Sequence, residues 1–415
     1  MQQRIAILVL TGLCFASSAW GSGYRIPEQS VNSTALSAAY VANAISADAS
    51  YFNPANMGWL NKEQWSADLS LIYINLARID YTDSRASAYN GEAKAENFLP
   101  PQLHLVSPDR NNFRLGLSIV EPAGLAKRWE QPYPRTFAED FTLQVVELNP
   151  SLSYTMADKY AVAAGVRMLR GTGKVVSMGS IPITGGYSTI SRVLEGDTMD
   201  YGYNLAITAK ASDKLVFAVT YRANVNLGLE SDTVTLTSSV PANTWAGEAE
   251  VKVPVPAVLT MAAAYTFDRT TVELTWDRTF WSKYDNLDFN YGTPLPNLVM
   301  VGAFDLPKDK GWTNTDAYRI GVTHRLNDCL TLMAGFGYDE NPVPERTLNF
   351  ELPDSDALLF SVGGRYRVND RLELGAAYLY DHKESRPVTA NDNGINGAFD
   401  NAAAHLLSFG ASITF

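Results

Sequence analysis

Histidines, cysteines and the cations that alternate into apolar segments are the residues whose chemistry could be put to use here. The chain holds four histidines, His104, His324, His382 and His405. A hydrolase needs a nucleophile beside a base, with an acid to orient the base. His104 stands in Gln102-Leu103-His104 with no Ser-Asp partner recognisable by spacing, and a lone histidine of this kind reads as a hydrogen-bonded filler. The two cysteines, Cys14 and Cys329, form no C-x-x-C pair, and neither a metal-ligand cluster nor a phosphate loop is present in the sequence. No enzymatic activity, metal or cofactor is therefore expected. The cations are more suggestive: Arg167, Arg222, Arg319, Arg365 and Arg367 occupy the polar positions of alternating segments, and Lys127, Arg128 and Lys174 stand near segment ends. Such groups could hold a carboxylate, or they could simply pair with acids such as Glu273 and Asp277.

The elements that must position these groups are set by composition and periodicity. With 415 residues, 46% hydrophobic and only 19% charged, the chain is too apolar to be disordered and long enough for a large core. No linker divides it. Its net charge of −11, with no basic cluster, makes nucleic acid an improbable partner. Residues 1–21 read as a secretory signal, with Arg4, an apolar stretch from Ile5 to about Ala16, and Ala19-Trp20-Gly21 before the cleavage point. Beyond it no apolar run of about eighteen residues exists, so a spanning helix is excluded by length and a spanning β-barrel is not.

From about residue 64 the period is two. Leu330, Leu332, Ala334, Phe336 and Tyr338 share one parity, as do Leu372, Leu374, Ala376, Tyr378 and Tyr380. Tight polar turns fall at 109–112, 157–159, 212–214, 268–269, 327–328 and 369–370, and longer connections at 82–98, 124–139, 178–197, 230–248, 282–315, 341–355 and 386–400. Six short turns interleaved with seven long loops give about fourteen strands. That is the plan of a transmembrane antiparallel β-barrel of the outer membrane, residues 63–415, with both termini in the periplasm. The closing segment Leu407, Phe409, Ala411, Ile413 and Phe415 alternates to a terminal aromatic, an expected signal for the barrel assembly machinery. By the same parity His324 and His405 face lipid and His104 faces the lumen. Residues 22–62 lack this alternation and are rich in alanine. A lumen of fourteen strands is too wide for side chains to fill, so this segment reads as an internal plug, or hatch; a periplasmic leader is the competing reading.

These residues resemble a known family, the FadL-type outer-membrane transporters of long-chain fatty acids and other hydrophobic compounds. The resemblance is carried by Gly23-Tyr24, Glu28-Gln29-Ser30, Ala44, Asp48-Ala49-Ser50 and Asn53-Pro54-Ala55. It continues in Thr220-Tyr221-Arg222, Pro254, Trp281-Ser282 and Asp316-Ala317-Tyr318-Arg319-Ile320, then Pro342-Val343-Pro344, Arg346, Pro353-Asp354 and Asp356. It implies a fourteen-stranded barrel with the hatch inside. Substrate would pass from outside to an apolar pocket and leave sideways through a wall opening, without an energy source.

Set against that implication, Asn53, Pro54 and Ala55 are the expected gate and Pro122, Ala123 and Gly124 the expected opening. Pro122 lacks the N–H for the ladder and Gly124 permits a bulge; a strand ending in a loop is the alternative. Candidate pocket residues are Ile26, Leu36, Tyr51 and Phe52. Candidate head-group cations are Lys127, Arg128, Arg167, Lys174, Arg222 and Arg319. Two departures bear on the substrate. Thr315 stands where the family's well-known fatty-acid member has lysine, and 178–197 and 230–248 look too short for the family's helical capture loops. The expected partners are a hydrophobic small molecule, outer-membrane lipid and lipopolysaccharide, with the protein a monomer. A general diffusion porin is the rival function.

Overall fold

The computed structural model describes residues 23–415; the expected signal segment lies outside them. Fourteen antiparallel strands form the wall: β1 (Ser66–Leu76), β2 (Pro101–Val106), β3 (Phe113–Lys127), β4 (Asp140–Met156), β5 (Tyr160–Ile183), β6 (Gly186–Lys210) and β7 (Leu215–Arg222). The second half comprises β8 (Val258–Phe267), β9 (Thr270–Thr279), β10 (Thr315–Arg325), β11 (Leu330–Asp339), β12 (Ala357–Asn369), β13 (Leu372–Lys383) and β14 (Ala403–Thr414). The register from Ser66↔Thr414 to Leu76↔Ala404 joins β1 to β14 and closes the sheet. Closure lets every strand find a neighbour, so the apolar parity can meet lipid without stranded backbone groups. Leu115, Leu274 and Phe409 are accordingly 58–60% exposed on the outer surface. Among the described residues no helix is long and apolar enough to cross a membrane.

The six short turns fall where expected. Asn111, Asn112, Ala157, Asp158 and Asp268 take positive φ there, the left-handed turns that join strands tightly. The other end departs from expectation in two of its seven connections. Residues 178–197 form no loop, because β5 and β6 run on as 24- and 25-residue strands to a turn at Thr184-Gly185. Strands need only about 9–11 residues to span, so this hairpin projects well past the bilayer. Residues 230–248 belong to a second hairpin, Val225–Ser239 with Ala242–Val255, which packs its first strand on β6. A small sheet of residues 80–83, 91–92, 386–388 and 397–400 caps the same end.

Residues 23–60 fill the lumen. Helices α1 (Val31–Ala35) and α2 (Ala49–Phe52) and a 3-10 turn (Pro54–Trp59) are almost wholly buried. Ser30 caps α1 reciprocally with Ser33, satisfying donors that a five-residue helix would otherwise leave open. The fit demands small wall residues. A Cβ on Gly335 would lie 2.2 Å from the Leu36 backbone, so only glycine lets α1 approach β11 this closely.

Candidate functional site: a wall gap filled from within

Wall strands β2 and β3 pair only from Leu103↔Ile119 to Val106↔Gly116. Above that they part. Residues 96–98 turn to pair with β1, and Pro100 and Pro101 offer no N–H to a neighbour. β3 continues to Lys127 against β4, with a register shift between Val120 and Ala123. Glu121-Pro122 is that irregularity, so the strand kinks and does not end. The edge of β3 facing the gap is thereby left without a wall partner.

The N-terminal segment supplies one. Arg25 bridges Ala123 in antiparallel fashion. Ile26 N–H donates to the Pro122 carbonyl, and Gly124 N–H donates to the Tyr24 carbonyl, both at 2.9 Å. The Gln29 amide completes the seal, its Nε2 donating to Glu121 O at 2.8 Å and its Oε1 accepting from Glu121 N–H at 3.0 Å. Pro122, Ala123 and Gly124 are thus brought together with Tyr24, Arg25 and Ile26.

Behind this seal lies a cavity of about 250 Å³. Ile26, Ile74, Leu76, Ile79, Leu125, Leu143, Leu359, Leu379 and Leu406 give it an apolar wall, and Glu28, Lys127, Asp354, Asp381 and Lys383 add polar groups. A smaller apolar cavity of about 50 Å³ sits toward the long-loop end, among Phe141, Leu194, Leu229, Val251, Val253 and Phe289. Tyr24 lines both. Its ring stands edge-on to Trp281 at 4.8 Å, and its hydroxyl donates to the Pro254 carbonyl. Leu125, Leu143 and Leu352 also line both, so the two spaces adjoin.

The other expected site residues are placed differently. Leu36 packs in a separate core with α1 and β11, and Phe52 packs against that core. Tyr51 stacks under Arg222, whose guanidinium carbon lies 4.1 Å from the ring centre. None of the three lines the larger cavity. Asn53, Pro54 and Ala55 are buried away from the gap, where Asn53 Nδ2 donates to the Val41 carbonyl and to Thr208 Oγ1. They anchor the lumen segment to the wall.

Most of the candidate cations are already paired. Arg167 and Arg222 share Glu147. Arg319 bridges Asp277 at 2.7 Å and Asp339 at 2.6 Å, and Arg25 reaches the same Asp277 at 3.1 Å. Arg128 pairs with Glu96 and Asp140, and Lys174 with Asp140. For the buried Arg167, Arg222 and Arg319 pairing is required, since an isolated buried charge costs several kcal/mol. These pairs lie within the wall, and Arg222 also staples the wall to the plug by donating to the Tyr51 carbonyl at 3.2 Å. His104 is another staple, its Nε2 donating to the Gln29 carbonyl at 2.9 Å.

Glu28 is the unpaired acid of the seal. It is 4% exposed, and its Oε1 finds no hydrogen-bond partner among the described residues. Burial pushes its carboxyl up to about 7; Arg319 opposes this, while Asp381 and Asp339 add to it. Sequence reasoning did not single it out as a site residue, nor the Pro100-Pro101 pair. That pair is a signal legible in the sequence, two adjacent residues unable to donate to a ladder.

Residues 12–415 match the family described as outer membrane protein transport protein (OMPP1/FadL/TodX). The chain belongs to this family. Among its relatives is the long-chain fatty acid transport protein of Escherichia coli O6:H1, strain CFT073, 25% identical, with 92% of this chain and 91% of that protein covered. The fold is similar to the crystal structure of a Pseudomonas aeruginosa FadL homologue, with TM-score 0.82 at 20% identity over 94% of this chain and 99% of that one. It is also similar to the Ralstonia pickettii toluene transporter TbuX, with TM-score 0.70 at 16% identity over 93% and 98%. Family membership makes the protein an outer-membrane transporter and sets aside the general diffusion porin. The lumen agrees, being filled by residues 23–60 and crossed by buried ion pairs.

Proposed function

We propose that the protein carries long-chain fatty acids or similar hydrophobic molecules across the outer leaflet region passively, releasing them sideways into the membrane through the gap between β2 and β3. The observation that carries this reading is the seal itself. A wall gap backed by an apolar cavity is closed by residues 24–29 of the plug and not by another wall strand. Burying a methylene gains about 0.8 kcal/mol, so a long alkyl chain would gain little from an aqueous pore. Handover from apolar cavity to lipid avoids rehydration, and no energy source enters the scheme. The names of the relatives agree with a hydrophobic cargo, one a fatty-acid transporter and one a toluene transporter.

In this reading residues 24–29 are the gate, and Asn53-Pro54-Ala55 is the fixed base from which they move. The protein acts as a monomer, both termini periplasmic, its long hairpins among lipopolysaccharide, assembled through the terminal Phe415 strand by the barrel machinery. Uptake of a labelled long-chain fatty acid and of toluene by cells lacking their own transporter tests the proposal. Uptake of at least one, with no steady large ion current in planar bilayers, is the expected result. Uptake of neither, or a porin-like current, contradicts it.

A further inference from the structure

Lys127 ends β3 beside the gap, is 6% exposed, and lines the larger cavity. Among the described residues its ammonium makes no hydrogen bond and no ion pair, which sets it apart from the paired cations above. The carboxylates in its surroundings are Glu96 and Asp354. Each is already taken, Glu96 by Arg128 and Asp354 by Lys383. Both carboxylates near Lys127 therefore already carry a cation of their own, and Lys127 is left without a partner.

The remaining acids of the cavity are Glu28, Glu121 and Asp381. Glu28 interacts with Asp381 and Asp339, and Asp381 faces Lys383 and Asp354. Leucine and isoleucine side chains line the rest of the cavity. A buried ammonium without a counter-charge is costly unless something supplies one.

We infer that Lys127 is the head-group residue of this transporter, and that its cargo is a single-chain amphiphile ending in a carboxylate. The inference rests on the transport reading above and makes it specific. A carboxylate at Lys127 supplies the partner that this buried ammonium lacks. The bound molecule then has its head at the outer end of β3 and its tail along the apolar wall beside the gap. The tail enters the bilayer first and the head leaves last, so the molecule emerges oriented like a lipid of the outer leaflet.

The test compares dodecanoate with 1-dodecanol, which share a tail and differ in the head. Binding of each to the purified, folded barrel is measured by titration calorimetry in detergent, for wild type, Lys127→Met and Lys127→Arg. Heat-modifiable electrophoretic mobility checks the fold of each variant. Wild type is expected to bind the acid at least about tenfold more tightly than the alcohol, the size of one charge-assisted hydrogen bond. Lys127→Met should remove that preference by weakening the acid alone, and Lys127→Arg should retain most of it. An unchanged preference in Lys127→Met, or equal loss of both ligands, overturns the assignment. Wild-type protein that binds neither ligand overturns the transport reading itself.

Discussion

Glu28 shows how a single buried group could set the strength of the seal. Its neighbours Tyr24, Arg25 and Ile26 hold the β3 edge, and its own carboxyl is desolvated up to about 7 from an ordinary 4.5. The seated segment therefore holds a proton that a released segment would give up. Seating is strongest below the ordinary carboxylate range and is lost progressively as pH rises through about 7. Protection of the Ile26 and Gly124 amides against hydrogen exchange, corrected for intrinsic rates, should fall between pH 5 and 8 in wild type and stay flat in Glu28→Gln. An equal slope in both proteins contradicts this role. Little of this was legible in the sequence. The parity rule correctly turned Arg167, Arg222 and Arg319 inward, but periodicity is blind to pairing. That Glu147, Asp277 and Asp339 would occupy these arginines, and leave Lys127 alone, depends on the register of adjacent strands and, for Arg222 with Glu147, on which strands meet inside the barrel.

At the scale of elements, the plug is held by shape as much as by charge. α1 lies against β11 at Gly335, where a Cβ would meet the Leu36 backbone at 2.2 Å. Glu273 of β9 caps the lumen chain by accepting from Val41, Ala42 and Asn43 N–H at 2.6, 2.9 and 2.8 Å. Gly335→Ala should cost about 1–3 kcal/mol, the usual penalty of overpacking, read as a lower temperature for loss of the folded electrophoretic form. An unchanged transition would mean that α1 is not tightly seated. The strands were legible because lipid outside and packed polar groups inside impose a strict period of two. The outer ends of β5 and β6 were not, because Gly179, Pro182, Gly185 and Gly186 give a paired hairpin the composition of a loop. Residues 24–29 were hidden for a related reason. They pair with β3 for only three residues and include Pro27, so they show no strand pattern of their own.

Seen as a whole molecule, the barrel combines a continuous wall with one deliberate interruption. β1 closes on β14 over the full length of both strands, whereas β2 abandons β3 above Leu103. The lumen segment below the gap is held to the wall by bonds to buried charged groups: Glu273 accepts from Val41, Ala42 and Asn43 N–H, Arg114 donates to the Met57 carbonyl, and Arg365 donates to Asn32 Oδ1. These make movement of the entire plug expensive, since a hydrogen bond to a charged group contributes about 1.5–3 kcal/mol. Movement confined to residues 24–29 exchanges a few hydrogen bonds and the Arg25–Asp277 pair, and is the cheaper route. The central claim is thus that this segment alone opens the wall. Arg25 and Ala123 are directly opposed antiparallel partners, at a separation a disulfide accepts. The decisive measurement is fatty-acid uptake by an Arg25→Cys/Ala123→Cys protein in which the exposed Cys329 is replaced by serine. Uptake that is abolished on oxidation and restored by reductant is the predicted result; full uptake with the cross-link intact would contradict release through this gap.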